Sequence, residues 1–172
     1  LMKKVFVSFL FCMAFTLTAN AQKFALVDME YIMENIPAYQ QAVEQLDKAS
    51  KAYQNEIEKK ANEAEALYKS YQQASASMSA TQRNQKEEAI IAKEKETAEL
   101  RKTYFGPEGE MVKKQEELLA PIQDQVYEAI KDLSIQRGYD AVIDRASATS
   151  VIFASPSIDI SNDVLSKLGY SN

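Results

Sequence analysis

The sequence predicts an α+β fold, mostly α, in which both chain ends form a small β-sheet body and the middle forms a long antiparallel α-helical hairpin, a coiled-coil arm. Three observations predict it. The stretch from Ile36 to Met78 contains one proline, at its second position, and no glycine. Short β-rich runs occur only near the two ends of the chain. Between them apolar residues recur at alternating steps of three and four, the spacing that keeps one stripe of a helix facing a partner helix.

The chain opens with Lys3 and Lys4, the apolar run "VFVSFLFCMAFTL", and "TANA", with Ala19 and Ala21 at an A-x-A spacing before Gln22. A charged start, a short apolar core and small residues at the cut site predict a secretory signal peptide over 1–21, cleaved after Ala21. Cys12, the only cysteine, leaves with it, because the bulky Phe11 before it argues against a lipid-attachment site. The mature part then has neither thiol nor histidine, which suits an oxidising compartment handled without disulfides. We therefore expect a soluble protein in a bacterial periplasm.

Loss of Lys3 and Lys4 leaves 18 basic against 25 acidic side chains, a net charge of −7. That balance argues against nucleic acid as a partner, and it puts contact with membrane or lipopolysaccharide in doubt, because phosphate binding depends on a basic surface. The predicted organisation is a body over 22–38, a helical-hairpin arm over 39–118, and the rest of the body over 119–172.

"KFALVD", Lys23 to Asp28, reads as the first strand, with Phe24 and Leu26 on one face. The arm's first helix follows. Pro37 suits its first turn, where the missing N–H costs nothing. Its seam runs Ile36, Tyr39, Val43, Leu46, Ser50, Tyr53, Ile57, Lys60, Ala64, Leu67, Tyr71, Ala74 and Met78, apolar or aromatic except at Ser50 and Lys60. At 1.5 Å per residue this helix is roughly 60 Å long, longer than a compact domain of this mass is wide.

"ASASMSATQ" reads as the tip, since its hydroxyls compete for backbone hydrogen bonds, and Ser79 with Gln82 can form a capping box that restarts the helix. From Gln82 to about Gln136 the chain reads as helix again, with a kink or break at "FGPEGE" and a kink favoured. Ile90, Lys93, Thr97, Leu100 and Tyr104 make a weak seam before it; Leu119, Ile122, Val126, Ala129 and Leu133 make a strong one after it. Pairing is thus expected to be firm near the base and loose toward the tip.

Gly138 is expected to close the long helix. "DAVIDR" and "SVIFA" then read as a β-hairpin, and "DISNDVLSKLG" as a short helix capped by Asp159 or Ser161, with Val164, Leu165 and Leu168 inward and Gly169 as its stop. A three-stranded sheet with one short helix is a thin core for so many ordered residues, which predicts an oligomer.

No catalytic constellation is visible. The helices carry many acid and base neighbours, such as Glu94 with Lys95, but no enclosed pocket to make them chemical. Neither a phosphate-cradling glycine loop nor a metal-ligand cluster is present, so no cofactor, metal or enzymatic activity is expected. Asp28, Asp140 and Asp144 lie at strand ends, where turn and capping roles are expected.

The opening "KFALVDMEYIMENIPAYQ", the charged helical hairpin and the closing "GYDAVIDRASATSVIFASPSIDISNDVLSKL" resemble, in that order, the Skp/OmpH family of periplasmic chaperones along the whole mature length. The resemblance implies a homotrimer whose sheet bodies pack together and whose three arms enclose a cavity. There, unfolded outer-membrane β-barrel proteins are kept from aggregating without ATP. Carried over by position, Phe24, Leu26, Val142, Ile143, Ile152 and Phe153 would belong to the trimeric body. The best-known members are strongly basic, whereas this chain is acidic; only the distal segment from Lys69 to Lys102 is mildly positive, with seven basic against five acidic side chains.

Candidate client contacts are Tyr53, Tyr68, Tyr71, Met78, Ile90, Ile91 and Leu100, because tyrosine, methionine and aliphatic groups offer adaptable apolar area. For Tyr53 and Tyr71, zipping the two helices is the preferred reading. For Tyr68, Met78, Ile90 and Ile91, packing and client contact weigh evenly. The alternative function is a structural coiled-coil spacer or adaptor of the cell envelope, which would need a tight seam from base to tip.

Overall fold

A computed structural model describes residues 22–148 and 150–170; the expected signal peptide lies outside the described residues. The order is β1 (Phe24–Val27), α1 (Met29–Glu34), α2 (Pro37–Ala74), a 3₁₀ turn (Ser75–Ser77), α3 (Ala80–Phe105), α4 (Glu110–Arg137), β2 (Ala141–Asp144), a second 3₁₀ turn (Pro156–Ile158) and α5 (Ser161–Lys167). Two compact units divide the chain. Among the described residues, one holds 22–32 together with 128–148 and 150–170; the other is Met33–Tyr127.

In the first unit β1 pairs with β2, and the pairing is parallel, with Phe24 opposite Ala141 and Val27 opposite Asp144. Two strands separated by a long helical excursion return in the same direction through a crossover, which a tight turn could not provide. The other edge of β1 is occupied by the segment before α5: Leu26 bridges to Asp159, and the Ile160 N–H donates to the Leu26 carbonyl at 2.9 Å. Flanked on both edges, β1 buries Ala25, Leu26 and Val27 in succession while Phe24 stays exposed. Phe24 and Leu26 share a face by strand period, as expected, but burial does not alternate along β1.

The expected hairpin of "DAVIDR" with "SVIFA" does not form, and the described sheet has two strands rather than three. After β2 the backbone curls: Ala146 N–H donates to Asp144 Oδ1 and Ala148 N–H to the Asp144 carbonyl, both at 3.1 Å. That turn carries the chain away from the β2 edge, and residues 151–155 run on without regular structure. Local β propensity lost here to the turn chemistry of Asp144, which leaves the outer edge of β2 without a partner strand among the described residues.

The core of this unit joins β1 with Ile32, Ala129, Leu133, Ile160, Val164 and Leu165. Ile32, Ile160 and Val164 are essentially sealed from solvent, each contributing about 1.5–3 kcal/mol relative to exposure. Two ion pairs tie α5 to the end of α4: Arg137 to Asp163 at 2.6 Å and Lys167 to Asp132 at 3.1 Å. Gly138 ends α4 as expected. Its φ of 65° lets the Tyr139 N–H reach the Ser134 carbonyl at 2.9 Å, a left-handed cap that a side chain would strain. Gly169 closes α5 in the same manner.

The strand-end aspartates act as caps and clasps. Asp28 accepts the Tyr31 N–H at 2.9 Å and pairs with Arg145, Asp140 accepts the Lys23 N–H at 2.7 Å, and Asp144 accepts the Met29 N–H at 3.1 Å. Burial pushes the Asp144 carboxyl up, but the N–H groups of Met29, Ala146 and Ser147 and the Ser147 hydroxyl outweigh it and hold it below the ordinary range.

In the second unit α2 runs unbroken with Pro37 in its first turn. The turn at Ser75–Ser77 ends it, and Ser79 restarts the chain as α3: its side chain accepts the Gln82 N–H, and the Gln82 side chain accepts the Ser79 N–H. The predicted capping box is present. Near the start of α2 the buried stripe passes through Ala42 rather than Val43, which is exposed; a 3.6-residue helix drifts against a counted 3.5-residue repeat.

"FGPEGE" is a full break rather than the favoured kink. Gly106 is extended (ψ 170°), as the residue before a proline prefers, and its N–H caps α3 on the Lys102 carbonyl. Pro121, by contrast, sits inside α4 without ending it, although the bond to the Glu117 carbonyl cannot form there. Leu119 on the strong seam is half-buried, and Ile122, Val126, Ala129 and Leu133 are buried.

Candidate functional surface

The hairpin of α2 and α3 is antiparallel and in register along its length. Tyr53 stacks on Tyr104 with ring centroids 4.0 Å apart and planes 9° from parallel, and meets the edge of Phe105. Farther out Lys60 pairs with Glu96 at 2.6 Å and Lys93 with Glu63 at 3.2 Å, and near the tip the Tyr71 hydroxyl donates to Glu87. Residue numbers rise on one helix as they fall on the other, as a helical hairpin requires.

At about 100° per residue, Lys60 and Glu63 fall to one side of the buried Ala64 line on α2, and Lys93 and Glu96 fall on the matching side of α3. This flank is laced shut. Lys93 also reaches Glu96 at 3.0 Å, so one ammonium ties two carboxylates from different helices. Hydrogen bonds from Lys60 and Lys93 hold the Glu96 carboxyl below its ordinary range, and Glu96 and Glu63 raise Lys93. The Tyr104 phenol, bonded to Glu56 at 2.6 Å, is raised by that carboxylate.

The opposite flank is open. Ala61, Glu65 and Tyr68 of α2 face Glu94 and Thr97 of α3 across a shallow cleft. Tyr68 and Ile91 are 48% and 63% exposed, and every residue over 80–89 is exposed.

The structure sorts the candidate client residues. Tyr68 and Ile91 are exposed, whereas Ile90 is buried in the seam. Tyr53, Tyr71, Met78 and Leu100 are half-buried, with Tyr53 and Tyr71 engaged across the hairpin. Phe105, exposed on the open flank, was not singled out by sequence; its place seven residues beyond Ala98 and fourteen beyond Ile91 was the available signal.

Of the body candidates, Leu26 is buried within its own unit and Val142 is half-buried. Phe24 and Ile143 are partly exposed, while Ile152 and Phe153 stand at 99% and 85% exposure. Two adjacent large apolar side chains so bare are unusual on a soluble surface. Among the described residues, no group of acidic side chains could hold a metal ion and no helix is long and apolar enough to cross a membrane.

Comparison with known proteins bears on this arrangement. A family described as Outer membrane protein (OmpH-like) matches residues 23–168. Curated relatives named Chaperone protein Skp include one from Yersinia enterocolitica, 27% identical over 156 residues, covering 91% of this chain and 92% of its own. Another, from Photorhabdus laumondii subsp. laumondii, is 26% identical and covers 94% of each. A solved OmpH-like structure from Caulobacter crescentus CB15 superposes with a TM-score of 0.68 at 12% identity, over 86% of this chain and 83% of that one, so the fold is shared. With the match running from the first strand to the C-terminal helix, the chain belongs to the OmpH-like outer membrane protein family.

Proposed function

We propose that the protein is an ATP-independent periplasmic holdase chaperone that binds unfolded outer-membrane β-barrel proteins and prevents their aggregation, working as a homotrimer whose helical arms surround the client. The carrying observation is the uneven hairpin: one flank is laced by ion pairs, while the other leaves Tyr68 and Ile91 uncovered. An unfolded barrel strand needs apolar cover that is weak at each point and repeated at many. A partly covered side chain contributes about 1 kcal/mol, and several in one chain add as avidity, so release needs no fuel. Family membership and the curated relatives' name support the same reading.

Trimerisation is supported by the bare Ile152 and Phe153 and by the partly exposed Phe24 and Ile143, which a neighbouring body would cover. The chain acts by binding, with no enzymatic step. The test is suppression of aggregation of a urea-diluted outer-membrane barrel by micromolar protein without nucleotide, with mass measured by light scattering. Full suppression at a trimer's mass is expected; a folded trimer that leaves aggregation unchanged would overturn the chaperone reading.

A further inference from the structure

We infer that the open flank of the hairpin is a selective groove, shaped for an extended chain segment in which an aromatic side chain neighbours a lysine or arginine. The inference rests on the holdase reading and specifies which client segments the arm prefers. The groove, about 350 Å³, is lined by Ala61, Ala64, Glu65, Tyr68, Glu94 and Thr97. Ala64 and Thr97 are buried at the seam, and the Thr97 hydroxyl already donates to the Lys93 carbonyl at 2.9 Å, so the floor makes no polar demand on an occupant. The short Ala61 side chain leaves the space above that floor unfilled.

The walls supply the selectivity. The half-exposed Tyr68 ring offers a face for offset stacking by an aromatic group, or for a cation placed over it. Of the two carboxylates at the rim, Glu65 is matched by Lys69 at 2.6 Å, but Glu94 is exposed and enters no ion pair among the described residues. An occupant bringing a positive charge beside its ring satisfies Glu94; one bringing a negative charge meets it in repulsion. Along α3, Ile91, Ala98 and Phe105 extend the apolar track at seven-residue intervals, about 21 Å at 1.5 Å per residue. An extended segment of about six residues spans that length, with alternate side chains directed at the track. The opposite flank offers none of this, because Lys60, Glu63, Lys93 and Glu96 already satisfy one another.

The test uses the full assembled protein and fluorescence anisotropy with short labelled polar peptides carrying one Phe-Lys pair, one Phe-Glu pair or one Ala-Lys pair. The Phe-Lys peptide is expected to bind about tenfold more tightly than either control. Ala61→Leu, which fills the groove with a good helix former, should abolish the preference for Phe over Ala. Glu94→Lys should invert the charge preference, so that the Phe-Glu peptide binds better than Phe-Lys; a variant that is merely misfolded gives a loss without inversion, and circular dichroism identifies it. Equal binding of all three peptides, or both variants retaining wild-type preferences while folded, would overturn the groove. In that case wild-type suppression of barrel aggregation would leave the chaperone reading standing, and failure of suppression alone would remove that reading instead.

Discussion

Gly109 offers a sharp test of how the break between α3 and α4 is held. A Cβ placed on it would lie 2.8 Å from the Tyr104 carbonyl oxygen and 2.9 Å from both the Thr103 carbonyl oxygen and the Gly106 nitrogen. All three are backbone atoms, so no flexible side chain can swing aside. Restoring ordinary contact near 3.4 Å requires the turn to open by about half an ångström on three sides at once. Overpacking of this kind costs about 1–3 kcal/mol, while replacing glycine recovers about 0.4–1 kcal/mol from the unfolded chain. Gly109→Ala should therefore destabilise the protein by about 1–2 kcal/mol. Gly138→Ala provides the contrast, since nothing lies within 4 Å of its Cβ and the cost is only the left-handed backbone, about 1–2 kcal/mol before the same recovery. Urea unfolding followed by circular dichroism gives both values, and amide exchange locates them. The Gly109 variant should lose protection at Gly106, Gly109 and Lys113, whose N–H groups hold the turn. A Gly109→Ala protein as stable as wild type, with unchanged exchange there, would refute the reasoning.

Ser79→Ala removes the capping box at the tip and should cost about 1 kcal/mol, read as faster amide exchange at Gln82 and Arg83 with α2 unaffected. Stability of the arm should decline on both sides of a neutral plateau. Glu96 is held low by Lys60 and Lys93, so its contribution is present above the ordinary carboxylate pKa and is lost as pH falls through the lowered folded value. Tyr104 is held high by Glu56, so its contribution is complete below the ordinary tyrosine pKa and is lost as pH rises through the raised folded value. Thermal melts across pH should show both limbs, and Lys93→Gln should shrink the acid one; added salt should weaken these exposed pairs. Ile152→Asp with Phe153→Asp should reduce the mass in light scattering to that of one chain while leaving the circular dichroism spectrum intact. Tyr68→Ser with Met78→Ser should weaken suppression of barrel aggregation several-fold; unchanged protection would remove both from the client surface.

Much of the hairpin was legible because its signals are local. Helix termination at Gly138 and Gly169, the Ser79 capping box and Pro37 at a first turn depend on a few neighbouring residues, and each stands where the sequence put it. The weak and strong seams were readable because helical period survives over many turns. The body was harder. "SVIFA" has high strand propensity, yet a strand forms only where the chain returns along an edge, and the Asp144 turn keeps it from returning along β2. The candidate surface divided in the same manner: spacing could say that Ile90 and Ile91 lie near the tip, but not that the first is buried and the second bare.

The sequence alone therefore determined the long helices, their caps, the reversal at the serine-rich tip and the acidic surface, since these follow from side chains acting on their own backbone. Only the tertiary structure decided the parallel pairing of the chain ends, the exposure of Ile152 and Phe153, and the difference between the two flanks of the arm. Those depend on which residues meet across space, and a single unfilled volume beside Ala61 opposite Glu94 leaves no mark on the local pattern.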